Sequence, residues 1–212
     1  MTAVAGEYTV VRDLIMRTVL IFAVSVLDDC TGLEACGEIK VFLKDQKIDL
    51  IKNRSGYFLF LDVQIGGPPE SKYKVRVEAA HYFPLEKTVK IADLDAAIPL
   101  VLFVLKPRPR YPFPAGMTLI RGTVSNPGPY DGAAAEILDV GAANSIDERG
   151  EFVLYLKSIP EDTLVAAAGL IKRKGGGKIK VKATAGGLSG IKEFDSLFEG
   201  AENSLGSPLG MS

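Results

Sequence analysis

The chain has 212 residues, 47% of them hydrophobic and 24% charged, which suits a soluble globular protein of two domains of about 90–100 residues each. Its 25 basic and 26 acidic residues leave a net charge of −1, which argues against a generic nucleic-acid binder, whose footprint is a basic excess or stripe. Two cysteines and one histidine exclude a disulfide framework and a cysteine-knuckle metal site. They leave any histidine metal centre or Ser-His-Asp triad dependent on His81 alone.

In chain order, residues 1–16 read as an N-terminal arm. Within GEYTVVRDLIMR (6–17), Tyr8, Val11 and Ile15 share one side and Glu7, Arg12 and Asp13 lie elsewhere. That is the pattern of a short helix or an extended arm, weak on its own in water. RTVLIFAVSVLDDCTG (17–32) follows, an arginine ahead of ten uncharged, mostly apolar residues. Sixteen residues of mixed charge precede the run, whereas a signal peptide begins at the N-terminus. Ten residues also fall short of the roughly 20 that a helix needs to cross hydrocarbon. The run is therefore expected to be a buried first strand, with no membrane span. Localisation stays open between the cytoplasm and an exported particle or filament. The loop DDCTGLEAC (28–36) carries Cys30 and Cys36, and both free thiols and a small clipping disulfide fit it.

Strand-like runs continue at EIKVFL (38–43), YFLFLDV (57–63), YKVRVEA (73–79), KTVKI (87–91) and IPLVLFVL (98–105). YKVRVEA alternates apolar and charged residues at period two, as half-buried strands do. YFLFLDV and IPLVLFVL are continuous apolar runs suited to central strands. KPRPRYPFPAG (106–116) then places four prolines in eleven positions, a semi-rigid spacer. Beyond it come MTLIRGTV (117–124), AAEILDV (134–140), EFVLYL (151–156), TLVAAAG (163–169) and KIKVKAT (178–184). KEFDSLFEG (192–200) fits a helical turn or a strand, and NSLGSPLGMS reads as a small, polar tail. The expected class is all-β: β-sandwich domain 1 over 17–107, a Pro-rich linker over 108–116, β-sandwich domain 2 over 117–200 and a C-terminal tail over 201–212.

The halves repeat one another. IKNRSGYFLFLDV (51–63) aligns with NSIDERGEFVLYLKS (144–158), Gly56 on Gly150 and Phe58 on Phe152. LIFAVSV (20–26) aligns with LIRGTVS (119–125), and YKVRVEA with KIKVKAT after an insertion of about ten residues near Gly-Gly-Gly. An Asp or Asn ahead of a tight turn can accept backbone N–H bonds, and glycine supplies a positive φ; Gly56, Phe58, Asp147, Gly150 and Phe152 form this structural motif. The string GTVSNPGPYDGAAAEI…SIDERGEFVLYL resembles the carboxypeptidase regulatory-like, or transthyretin-like (prealbumin-like), β-sandwich. In the first half Asn53, Gly56, Phe58 and Tyr73-Lys74-Val75-Arg76-Val77 followed by Tyr82-Phe83-Pro84 carry the same resemblance. It implies tandem Greek-key sandwiches of an accessory kind.

No residue set advertises catalysis. GGGK (175–178) lacks the spaced phosphate-loop form and reads as a hairpin turn. IKRKGGGKIKVK reads as a solvated hairpin face. The carboxylate pairs of Asp28-Asp29 and Asp93-Leu94-Asp95 offer too few ligands for calcium. The expected role is a non-enzymatic structural or docking subunit of a filament, sheath or particle, with protein partners that include copies of itself, no cofactor and no nucleic acid. A carbohydrate- or surface-binding module is the alternative, with a glycan as partner. Candidate interaction residues are Tyr8, Val11 and Ile15 of the arm, for strand addition to a neighbour, and Tyr82, Phe83, Tyr111 and Phe113 as exposed aromatics.

Overall fold

The computed structural model describes residues 19–44, 48–61, 71–125, 130, 132–138 and 140–212. The arm residues Tyr8, Val11 and Ile15 lie outside them. Among the described residues the protein is all-β, with no α-helix, and its five small sheets are consistent with β-sandwich domains.

The first half contributes β1 (Leu20–Asp28), β2 (Ile39–Leu43), β3 (Ile48–Asp49), β4 (Ile51–Lys52), β5 (Phe58–Leu61), β6 (Lys72–Ala79), β7 (Leu85–Lys90) and β8 (Leu100–Leu105). They form two sheets, ordered β4-β5-β1-β8 and β3-β2-β6-β7. Period-two patterning decides what each strand buries. Phe22, Val24 and Val26 of β1, Phe58 and Phe60 of β5, and Tyr73, Val75 and Val77 of β6 all point inward. Phe22, Phe60 and Tyr73 form an aromatic triangle with ring centroids 4.7, 4.8 and 5.7 Å apart, worth about 0.5–1.5 kcal/mol per pair beyond burial.

The second half contributes β9 (Thr118–Thr123), β10 (Ala134–Ile137), β11 (Ala142–Ser145), β12 (Glu151–Leu156), β13 (Leu164–Ala167), β14 (Leu170–Arg173), β15 (Ile179–Ala185), β16 (Leu188–Phe194), β17 (Leu197–Phe198) and β18 (Glu202–Ser204). Its sheets are ordered β12-β9-β18, β11-β10-β15-β16 and β13-β14-β17. The first matches β5-β1-β8, with no counterpart of β4 in that sheet, and the second matches β3-β2-β6-β7. In each half the opening strand pairs antiparallel with the strand after the motif turn, and parallel with the closing strand of its sheet.

The motif turns match bond for bond. Asn53 Oδ1 accepts the N–H groups of Ser55 (3.0 Å) and Tyr57 (2.9 Å), while Asp147 Oδ1 accepts those of Arg149 (2.9 Å) and Glu151 (2.8 Å). Gly56 and Gly150 sit at φ +87° and +77°, where any side chain is strained.

Several sequence expectations are corrected. Val24 lies opposite Phe58 and Gly122 opposite Phe152, so β9 relates to β1 by 98 residues. The alignment of Leu20 with Leu119 is thus one residue out of register, and such a slip exchanges the two faces of a strand. The Gly-Gly-Gly turn closes no hairpin: it carries the chain from β14, which pairs with β13 and β17, across to β15. The insertion in the second half is the β13–β14 hairpin. KEFDSLFEG, which fitted a helical turn or a strand, forms the end of β16 and β17, the strand alternative. The expected C-terminal tail is built in. Asn203, Leu205 and Leu209 are buried, Asn203 Nδ2 donates to Leu119 O at 3.1 Å, and Leu209 N donates to Thr123 O at 2.8 Å.

Candidate functional site

A cluster of buried polar groups lies where the halves meet, and the Pro-rich segment helps to build it. Four prolines fix φ in an extended shape and remove N–H donors, so the segment uses its carbonyls and side chains. Phe83 N donates to Lys106 O (2.9 Å) and Arg108 N to His81 O (2.8 Å), which stitches the segment to the end of the β6–β7 connection. On its other side, Asn144 Nδ2 donates to both Pro107 O and Val153 O at 2.9 Å, and the Arg121 guanidinium donates to Pro109 O. Pro107, Pro109 and Tyr111 are buried. The spacer is a packed layer shared by both halves, and one core cluster unites Phe103, Leu105 and Tyr111 with Leu119, Val153 and Tyr155.

At the centre stands Asp28, only 2% exposed. Its Oδ1 accepts the Cys30 N–H at 2.7 Å, and its Oδ2 accepts the hydroxyls of Tyr82 (3.2 Å) and Tyr111. A buried charge is tolerated only when so bonded. The Tyr82 hydroxyl also accepts the Cys36 N–H at 3.1 Å, which fixes the DDCTGLEAC loop. Neighbouring Asp29 reaches across to the second half, accepting the Tyr155 hydroxyl at 2.6 Å and Lys157 Nζ at 2.8 Å. A cavity of about 390 Å³ opens beside this pair, lined by Asp29, Lys106, Asn144, Tyr155, Lys157 and Pro160 among others.

Electrostatics follow the geometry. Burial works to raise the Asp29 carboxyl, but the bonds from Lys157 and Tyr155 and the lysine charge outweigh it and hold the group below its ordinary range. Burial, followed by the Asp28 and Asp29 charges, pushes the Cys30 thiol up to about 11. Tyr82, Tyr111 and Tyr155 are raised well above an ordinary phenol, first by burial. The next cause is the Cys36 thiol for Tyr82, the Asp28 carboxylate for Tyr111 and the Asp29 carboxylate for Tyr155. Such groups stay protonated and serve as fixed donors. The arrangement can lock an orientation.

The candidate aromatics do not form an exposed platform. Tyr82 and Tyr111 are 1% and 6% exposed, which corrects their assignment as surface residues: each hydroxyl is turned inward to Asp28. Phe83 and Phe113 are half-buried, Phe83 beneath the Arg108 guanidinium (5.4 Å) and Phe113 against Tyr111, Tyr155 and the Arg121 guanidinium. Cys30 and Cys36 are both free thiols, the first buried and the second exposed. Among the described residues no group of three or more His, Cys, Asp or Glu is placed to hold a metal, and no helix is long and apolar enough to cross a membrane. Sequence reasoning missed Asp29, Asn144, Tyr155 and Lys157 as junction residues; the doubled acid at 28–29 was the one visible signal. Comparisons with known protein families, curated proteins and solved structures find no match to this chain.

Proposed function

We propose that the chain is a non-catalytic structural or docking subunit of a larger protein assembly, built from two transthyretin-like, Greek-key β-sandwich modules held as one stiff body. The observation that carries this reading is the junction. A flexible tether would need none of it, yet the Pro-rich segment is bonded to both halves and Asp29 is tied to Tyr155 and Lys157 across them. Fixing the relative orientation of two modules costs chain entropy and serves a protein whose task is to hold partners at a set spacing. The matched sheet orders and motif turns support the tandem-module part of the proposal.

The test is the mass of the native particle, measured by light scattering on material purified without denaturation from its source. The expected result is a particle many chains in size. A particle of one chain, unchanged by concentration, would overturn the reading.

A further inference from the structure

Among the described residues, no strand pairs with the outer edge of β12. Residues of an antiparallel strand turn their N–H and C=O groups alternately toward one neighbour and toward the other. Arg121 O accepts Leu205 N, Thr123 O accepts Leu209 N, and Leu119 N donates to Ala201 O. These three residues of β9 therefore face the closing strand. Their partners across the ladder, Val153, Glu151 and Tyr155, turn their backbone groups the opposite way, out to the edge of β12.

What meets that edge changes along the strand. Both backbone groups of Glu151 are bonded by Asp147, and Val153 O takes Asn144 Nδ2 at 2.9 Å. From Tyr155 onward the edge faces the cavity of about 390 Å³, with Tyr155, Lys157 and Ser158 on one wall and Ala142 and Ala143 of β11 on the other. Among the described residues no group bonds the Tyr155 N–H or C=O or the Lys157 N–H, and bare backbone groups of this kind seek partners. In the first half the edge of β5 has one: β4 runs along it, Ile51 opposite Leu59 and Lys52 opposite Phe58. The matching stretch of the second half stays with the other sheet, where Ile146 N donates to Ala133 O at 3.0 Å. The repeat thus shows an extended chain on an edge that β12 leaves bare.

Charge defines the chain that fits. Among the described residues, Asp29, Lys106 and Lys157 are the charged side chains that line the cavity. Asp29 and Lys157 neutralise each other at 2.8 Å. Lys106 Nζ donates to Ala143 O at 2.9 Å, with no carboxylate at ion-pair distance among the described residues, so the cavity holds one cation in excess. We infer that the edge of β12 from Tyr155 to Ser158 is a docking site for an extended peptide segment of a partner protein. The segment bonds the Tyr155 and Lys157 backbone by strand addition and sets an acidic side chain against Lys106. The cavity is within the range of about 300–1,000 Å³ usual for binding sites. Asp29 and Lys106 belong to the first half and β12 to the second, so a chain seated there touches both. The inference rests on the docking reading above, yet the two fail separately: a particle of one chain that takes the peptide keeps this site and loses the assembly.

The test is amide hydrogen exchange, read by NMR on the full chain. In the free protein the amides of Tyr155 and Lys157 should exchange about tenfold faster or more than those of Leu154 and Leu156, which face β9. The end-blocked peptide Val-Glu-Val-Glu-Val, at millimolar concentration, should slow Tyr155 and Lys157 by about tenfold. The same peptide with lysine for glutamate should bind about threefold more weakly, the worth of an exposed ion pair. Lys106 is exposed, so its substitution spares the fold: Lys106→Gln should abolish that preference and Lys106→Glu should invert it. A peptide N-methylated at every amide should protect neither position. No slowing by the glutamate peptide would overturn the inference. Equal protection by the N-methylated peptide would do the same, because it marks a ligand that is not a strand. Equal binding of the two charged peptides would overturn the acidic partner.

Discussion

Substituting Gly150 by valine strains the second motif turn in two separable ways. The residue sits at φ +77°, a left-handed conformation that costs an L side chain about 1–2 kcal/mol. A Cβ there would also lie 2.9 Å from Tyr130 Oη and 3.2 Å from Val124 Cγ2, and overpacking of that kind adds about 1–3 kcal/mol. The total is about 2–5 kcal/mol. At roughly 2–4 °C per kcal/mol for a chain of this size, the thermal midpoint should fall by about 4–20 °C. Gly141 supplies the control, because its φ is +75° and a Cβ there meets nothing within 4 Å. Gly141→Ala should show the backbone cost alone. Calorimetry of wild type, Gly150→Val and Gly141→Ala decides the matter. Equal losses in the two variants would refute the packing part of the reasoning, and no loss in either would refute the assignment of the turn.

The repeat supplies a further comparison. Asp147→Asn should be nearly neutral because Asn53 makes the same two bonds, whereas Asp147→Ala should cost about 1–3 kcal/mol for two N–H groups left without an acceptor; denaturant melts check both. In native protein at pH 8, Cys36 should react promptly with a disulfide reagent. Cys30, whose thiol is pushed up to about 11, should react orders of magnitude more slowly until the chain unfolds; equal rates would contradict the burial of Cys30. The Asp29 carboxyl sits below its ordinary value of 3.8 in the folded protein, so the unfolded chain takes up the proton first. Its contribution is complete above that ordinary value and is lost as pH falls through the lower folded value. Asp29→Asn should flatten acid unfolding in that window, measured by tryptophan-free near-UV dichroism.

The strands were legible because period-two patterning in runs such as YKVRVEA is a local property of the chain. The motif turns were legible because their acceptor and glycine sit within four residues of each other. What escaped the sequence was everything fixed by distant pairing. Leu188–Phe194 has little strand signal of its own and becomes β16 by pairing with β15. Glu202–Ser204 reads as a polar tail and is held by β9, more than 80 residues away. The same holds for the junction: proline content announced stiffness in 106–116, but nothing local says that Tyr111 turns inward to Asp28 or that Tyr155 seeks Asp29. The exposed aromatic platform failed for that reason. A tyrosine beside a break reads as surface until its hydroxyl partner, here 83 residues upstream, is known.

The parallel pairing of opening and closing strands bears on how the chain carries load. From Ala23–Leu100 to Asp28–Leu105, β1 and β8 run side by side in the same direction, and β9 runs likewise beside β18 and the stretch to Leu209. When the two ends of such a module are drawn apart, tension slides the paired strands along each other. Every backbone hydrogen bond between them is then strained together instead of opening one after another like a zip. Each half is thus braced against pulling in the direction of its own chain ends.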